Sequence, residues 1–252
     1  MGLLSRLFGE KSDDRQLTRP DFGRFGHLEI DFSGTKLRFK DAAHTAMFPI
    51  NDWPEDMDIY NTGVFEKQRD DSYAKRFYVR GWDFYGKKKA KARGGGVTAS
   101  SFVFYFPLNN FKGIGLFERE VFEQEIFKYC HKIWGRQNPG SSLGSLGPEG
   151  EFVYPVDANG LSYQLINGVQ WCRFTSQWRA DPPEILFGCP ISKHHMIINS
   201  FELSAYDGVD FYSPETNLEQ TCNDVVNDYM AEFYIELSER ARQEKAQASD
   251  PV

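Results

Sequence analysis

The sequence ASSFVFYF at residues 99–106 decides how the rest of this chain must fold. Because neighbouring side chains of a strand point to opposite faces, its three phenylalanines share one face, while Val103 and Tyr105 share the other. A strand that is apolar on both faces has to be covered on both sides. The pattern therefore predicts a central strand, with the helical pattern that follows it, at about 116–134, packed against it.

This first predicted helix carries an unusually wide apolar stripe, and a stripe of that width indicates burial against more than one neighbour. Arg119 and Glu123 lie in the same sector of the helix, four residues apart, so their spacing predicts a partly buried ion pair. The members of the stripe are Phe122, Ile126, Phe127, Tyr129, Cys130, Ile133 and Trp134.

Strand patterns surround this central unit. Two runs of alternating apolar and polar residues, 27–32 and 35–40, flank a short Gly-containing loop and predict a β-hairpin with one buried face. A second long amphipathic helix is predicted at about 214–242, and further alternating segments precede each helix. The predicted fold class is therefore α+β, with mostly antiparallel sheet and two long helices packed on it.

Changes in composition divide the chain into five predicted segments. A charged N-terminal segment or tether (1–21) precedes a first α+β half (22–134), and a Gly-, Ser- and Pro-rich loop or linker (135–150) leads to a second α+β half (151–242) and a disordered tail (243–252). Both halves place an Arg- and Trp-bearing strand and a long apolar strand before a long helix. Two similar halves from an old duplication, or coincidence within one domain, explain this order equally well.

Charge and cysteine content restrict the classes of partner and compartment. The net charge of −7 and the pI near 5.3 are opposite in sign to the basic surface that nucleic-acid binding needs, so we expect no nucleic-acid partner. Four widely spaced cysteines without a C-x-x-C pair predict buried free thiols in a reducing compartment, and hence a soluble cytoplasmic protein. No segment approaches the roughly 18 continuous apolar residues of a membrane span.

Motifs for catalysis and for metal or nucleotide binding are missing from the sequence. His194 and His195 are adjacent in a strand pattern, where neighbours point apart, so they do not ligate one metal ion. Neither a Gly-x-Ser-x-Gly motif nor a nucleotide fingerprint occurs. We expect no metal and no cofactor, and favour a protein that is not an enzyme, although a carboxylate pair assembled by the fold would be invisible in the sequence.

Arginine and tryptophan residues in the two halves suggest one ligand site. Arg80 and Trp82 of the first half, and Arg173, Trp178 and Arg179 of the second, are of the types that hold an anionic or planar molecule. The corresponding hypothesis is a small-molecule binding or enzymatic domain with its site between sheet and helices. It requires the two groups of residues to converge.

The leading hypothesis is nevertheless protein binding, as in an adaptor or immunity-type protein, because acidic bacterial proteins of this kind often have a similar composition. Trp53 and Trp178 lie in Pro- and Asp-containing loops and are candidate anchors for a protein partner. A third hypothesis is weak membrane contact through residues 3–8. The basic, glycine-ended loop at 87–96 would assist it through Lys87, Lys88, Lys89 and Arg93.

Overall fold

The computed structural model describes residues 17, 19–23, 26–42, 54–68, 72–85, 93–107, 115–138, 151–206 and 208–252, and the structural statements below concern these residues. Three α-helices occur in this part of the chain: α1 (Arg119–Ile133), α2 (Leu218–Ala231) and α3 (Glu239–Ala246). Its strands are β1 (His27–Phe32), β2 (Thr35–Lys40), β3 (Glu66–Lys67), β4 (Tyr73–Tyr85), β5 (Arg93–Tyr105), β6 (Phe152–Val153), β7 (Ser162–Ile166), β8 (Val169–Trp178), β9 (Glu184–Pro190), β10 (His195–Ala205) and β11 (Tyr234–Glu236).

These strands form two antiparallel sheets. The large sheet has the order β3-β4-β5-β10-β9-β8, and the outer edge of β8 pairs with both β6 and β7. Strands β1, β2 and β11 form a small sheet, which begins with the hairpin predicted from residues 27–40. The α+β class and the mostly antiparallel arrangement are confirmed.

Strand β5 lies in the middle of the large sheet, between β4 and β10. Val103 is fully buried in the core that α2 covers, whereas Phe104 is 5% exposed and faces the core that α1 covers. The two helices therefore lie on opposite faces of the sheet, as a strand that is apolar on both faces requires. The central strand predicted from residues 99–106 is confirmed.

The two predicted halves share one sheet, because β5 of the first pairs directly with β10 of the second. A two-fold axis that exchanges two antiparallel neighbouring strands, such as β5 and β10, runs perpendicular to the sheet. Rotation about this axis keeps each face of the sheet in place, so the helices that follow the two strands would lie on the same face. Since α1 and α2 cover opposite faces, no such axis relates the halves. Whether their shared order of elements comes from an old duplication or from coincidence stays a prediction.

The second long helix, predicted at 214–242, is wrong in its bounds. The chain leaves α2 at Ala231 and forms β11, which completes the small sheet by pairing with β2. It becomes helical again after Ser238, whose hydroxyl caps α3 by accepting the N–H of Ala241. The apolar spacing continues through the break because β11 also contributes to the core, so the spacing alone does not reveal it.

The predicted tether (1–21) is anchored at its C-terminal end. Leu17 packs against the core, and Arg19 forms ion pairs of 3.0 and 3.6 Å with Asp224 and Asp228 of α2. Its polar composition predicted a tether. The acidic partners of Arg19 lie about two hundred residues away in the sequence and give no local signal.

The predicted disordered tail (243–252) is ordered and packed. Helix α3 extends to Ala246, and Val252 is 2% exposed in the core beneath α1. The N–H groups of Ser249 and Asp250 donate to the Glu118 carboxylate, just before α1. These contacts exist only in the folded chain, so the local composition does not predict them.

The loop predicted at 87–96 is shorter than expected, because β5 begins at Arg93. Gly95 and Gly96 pair with residues of both β4 and β10. A side chain at Gly95 would overlap the carbonyl oxygen of Ser204 and approach Leu218 to 2.7 Å. Glycine is therefore used here for close packing in a strand rather than for a mobile turn.

Arg119 and Glu123 do not form the predicted ion pair. Arg119 Nε lies 3.1 Å from the Asp250 carboxylate, and its guanidinium carbon lies 4.6 Å from the ring centroid of Tyr163. Glu123 accepts a hydrogen bond from the Tyr163 hydroxyl at 2.8 Å. Both helix residues thus use partners on other elements, which helical spacing does not predict.

All four cysteines are buried and unpaired, as predicted. Burial raises the pKa of Cys172, Cys189 and Cys222 to about 12, so these groups are protonated thiols at neutral pH. None of the helices in the described residues has the length and apolar character needed to cross a bilayer.

Candidate functional site

A groove of about 530 Å³ opens on the α1 face of the large sheet, between the β3–β5 edge and the C-terminal end of α1. We call it the α1 groove. Its apolar lining consists of Ala74, Phe102, Phe104, Tyr129 and Ile133, and its polar lining consists of Gln68, Ser72, Lys132, Arg136 and Gln137.

The floor of the α1 groove follows from the cross-strand pairing of β4 and β5. Phe102 and Phe104 lie on either side of Val103 in the strand, and Val103 faces the core that α2 covers. Because neighbouring side chains point to opposite faces, Phe102 and Phe104 both face α1. Ala74 stands directly opposite Phe104 in the register. A small side chain beside a large ring leaves a depression, because side chains in such a pair stand only about 5 Å apart.

The helix wall of the α1 groove is fixed by aromatic contacts. Tyr129 packs edge to face on Phe104, with ring centroids 5.2 Å apart, and edge to face on Trp134 at 5.9 Å. Ile133 lies one turn further along the same side of α1, four residues after Tyr129. Tyr129 and Ile133 are half-buried, so part of the wide predicted stripe faces the groove instead of the core.

The rim of the α1 groove is positively charged. Lys132 and Arg136 lie one turn apart at the end of α1, and no carboxylate is among the lining residues that the structure describes. Lys132 has neither an ion pair nor a hydrogen bond with the described part of the chain. Lys128, one turn earlier and outside the groove, is paired with Glu125 at 2.6 Å.

These features match a binding site better than a catalytic one. A volume of about 530 Å³ lies within the usual range for small-molecule sites, which combine an apolar lining with a few polar groups. The described lining contains no acid–base pair and no nucleophile placed beside a base. The arrangement can hold an apolar molecule and present ammonium and guanidinium groups to one end of it.

A second cavity, of about 400 Å³, lies on the same face of the sheet beyond the end of α1. We call it the acidic cleft, because Glu184 and Glu202 stand directly opposite each other there in β9 and β10. Its aromatic walls are Trp134, Phe152 and Trp178.

Glu184 in the acidic cleft is held by internal hydrogen bonds. Burial raises the pKa of its carboxyl, the hydrogen bond from Ser200 lowers it, and the neighbouring Glu202 charge raises it. The hydroxyls of Ser200 and Ser176 both donate to this carboxyl. Glu184 thus has partners within the fold without any ligand.

Ser192 and His195 form a hydrogen bond of 2.7 Å that resembles part of a catalytic pair. They are 1% and 2% exposed, and the rings of Phe65 and Tyr105 enclose His195. Burial lowers the pKa of His195 to about 3, so its ring is neutral at pH 7. The pair closes the β9–β10 turn, and both of its side chains are buried. No group of three or more potential metal ligands occurs among the described residues.

Of the residues singled out in the sequence, Arg80 and Trp82 have structural partners. The Arg80 guanidinium forms a bidentate pair with Asp41, with distances of 2.6 and 2.8 Å. Trp82 is 2% exposed, and its indole N–H donates to the carbonyl oxygen of Ala42. Neither side chain is available to an anionic ligand.

The second group of candidates lies far from Arg80 and Trp82. It consists of Arg173, Trp178 and Arg179. Arg173 lies on β8, four strand spacings from Arg80 on β4, which is about 19 Å. Trp178 lines the acidic cleft, with Arg179 stacked on its ring at 5.3 Å. The two Arg- and Trp-bearing groups therefore do not form the single site that the small-molecule hypothesis requires.

The side chains of the remaining candidate contact residues are not described by the structure. Trp53 and the three lysines at 87–89 lie outside the described residues, and only the backbone of Arg93 is described, at the start of β5.

The α1 groove was not predicted from the sequence. The one available signal was the unusual width of the α1 stripe, to which Tyr129 and Ile133 belong and which Phe127 and Trp134 widen. Its meaning depends on the register that places Ala74 opposite Phe104, because this pairing creates the space that the helix leaves open.

Comparison with known proteins adds no further assignment. The chain matches no protein-family model, and it has no match among curated proteins.

Proposed function

We propose that this chain binds a small apolar molecule in the α1 groove. The observation that carries this proposal is the groove itself, whose floor of Phe102 and Phe104 is walled by Tyr129 and Ile133. At about 0.8 kcal/mol per buried methylene, burying about six methylenes contributes roughly 5 kcal/mol towards binding, and this contribution is offset in part by the lost freedom of the ligand. The proposal keeps the small-molecule hypothesis but moves its site from Arg80 and Arg173 to the end of α1.

Protein binding, the leading hypothesis from the sequence, stays a prediction. Among the described residues, the most exposed large apolar side chains are Val153, Val156 and Leu165, at 69%, 72% and 76%. Val153 pairs with Gln177 of β8 and Leu165 with Gln170, which are seven residues and about 23 Å apart along one strand. Such dispersed side chains do not support a partner surface.

Membrane contact also stays a prediction, because residues 3–8 and 87–92 lie outside the described part of the chain. We place the protein in a reducing compartment such as the cytoplasm. The support for this placement is the set of four buried cysteines without a disulfide.

Binding of a neutral apolar ligand tests the proposal. Dodecanol or the dye Nile red should bind the wild-type chain saturably, as measured by calorimetry or dye fluorescence. Ile133→Trp, which fills the groove from the helix wall, should abolish this binding, whereas Ile133→Val should preserve it. Saturable binding that is equal in both variants would place the ligand elsewhere, and the absence of any binding would remove the proposal.

A further inference from the structure

We infer that the ligand of the α1 groove is an anionic amphiphile, with a carboxylate or phosphate head group that pairs with Lys132. This inference rests on the proposed function, since it names the class of molecule that the groove selects. It makes Lys132 a residue that determines specificity.

The charge of the α1 groove runs against that of the whole chain. The protein carries 36 acidic and 29 basic side chains. Yet two cations, Lys132 and Arg136, and no carboxylate appear among the described lining residues. A groove with an apolar floor and a cationic rim is complementary to a molecule with an apolar body and an anionic end.

Lys132 differs from the other lysine of this part of α1. Lys128 is paired with Glu125, whereas Lys132 has no acidic partner in the described part of the chain. Lys132 lies in the last turn of α1, where a cation interacts favourably with the helix dipole, whereas Lys128 lies one turn earlier. The dipole explains a positive charge at position 132, but it does not explain why this unpaired ammonium lines the apolar groove.

The ligand is a single free molecule and not a lipid within a membrane. A groove of about 530 Å³ holds one small molecule, which would lie between a sheet and a helix. The ammonium of Lys132 then forms a charge-assisted hydrogen bond with the head group at the rim.

Calorimetric titration with dodecanoate and with dodecanol, below the concentrations at which either aggregates, tests the inference. Wild type should bind dodecanoate about tenfold more tightly than dodecanol, which is the usual scale of one charge-assisted contact. Lys132→Glu should weaken dodecanoate binding by about tenfold or more and change dodecanol binding by less than about twofold. Lys128→Glu makes the same change of charge one turn away, outside the groove, and should leave the preference for dodecanoate intact.

The possible failures are distinguishable. If wild type binds neither compound, the proposed function fails and the inference fails with it. If wild type binds both equally, or Lys128→Glu acts like Lys132→Glu, the groove still binds apolar ligands but the assignment of Lys132 is overturned. If Lys132-dependent binding occurs only with phosphatidylserine-containing vesicles and not with free dodecanoate, the ligand is a membrane lipid and the inference is also overturned.

Discussion

The rings of Phe104 and Tyr129 meet edge to face, with centroids 5.2 Å apart and an angle of 83° between the ring planes. Phe104 belongs to the central strand and Tyr129 to the helix packed on it, so this contact sets the spacing between sheet and helix where the α1 groove opens. Two neighbouring rings continue the aromatic surface, Trp134 on the helix and Phe102 on the strand.

Phe104→Leu tests the value of this contact. Leucine keeps the position apolar but removes the ring pair, which is worth about 0.5–1.5 kcal/mol beyond burial, so we expect the free energy of unfolding to fall by about 1–2 kcal/mol. A decrease of less than about 0.5 kcal/mol in the free energy of unfolding, measured by chemical denaturation, would contradict the role given to the rings.

Arg80 is predicted to stabilise the fold through Asp41. Asp41→Ala removes the bidentate partner of a guanidinium whose side chain is only 9% exposed, so we expect a loss of about 2–4 kcal/mol in the free energy of unfolding. Glu66→Ala removes an exposed partner of Lys75 and should have little effect. Equal effects of the two substitutions would argue that the Arg80 pair is not structural.

Glu184 should make stability depend on pH. Because its folded pKa is raised, the native state holds this proton more tightly than the unfolded chain, and stability falls as pH rises from the ordinary glutamate pKa towards the raised value. Glu184→Gln mimics the protonated carboxyl. It should match wild type in melting temperature near pH 4 and exceed it increasingly at higher pH.

The neighbouring charge supplies a second comparison. Glu184→Gln should raise the melting temperature less in a Glu202→Gln chain than in the wild-type chain. The reason is that the like charge of Glu202, which helps to raise the pKa of Glu184, is then missing. If the increase in melting temperature caused by Glu184→Gln became smaller as pH rises, this result would contradict the burial of the Glu184 carboxyl.

Gly95 is predicted to tolerate no side chain. The Cβ of Gly95→Ala would overlap the carbonyl oxygen of Ser204 in β10 and press on Leu218 of α2. We therefore expect the free energy of unfolding to fall by about 2–3 kcal/mol. At Gly26 nothing lies within 4 Å of an added Cβ, and Gly26→Ala should be neutral. Thermal unfolding of the two variants provides the comparison.

Several elements could be predicted because their patterns are local. The alternation at 27–40 and the two apolar faces of 99–106 each specify a strand, and α1 ends within a residue of its predicted limit. The break in 214–242 could not be predicted, because residues 234–236 pair with β2, almost two hundred positions earlier. Periodicity reports which residues are buried, but it does not report which distant strand a segment joins.

The site was harder to predict than the fold, for a related reason. Arg80 and Trp82 looked like ligand contacts because arginine and tryptophan often are, yet they form hydrogen bonds with Asp41 and Ala42 inside the fold. The α1 groove combines a strand register with a helix end and contains no motif. The only sign of it was the unusual width of the predicted α1 stripe, to which Tyr129 and Ile133 belong.

Methyl NMR of an isoleucine-labelled chain during titration with dodecanoate tests the central claim most directly. Ile133 lines the α1 groove, whereas Ile126, two turns earlier on the same helix, is fully buried in the core. We predict a large, saturable shift of the Ile133 methyl signal and little change at Ile126. Saturation with no change at Ile133 would contradict ligand binding in the α1 groove. The largest shifts at Ile166 and Ile235, which pack against the core that α2 covers, would contradict it as well.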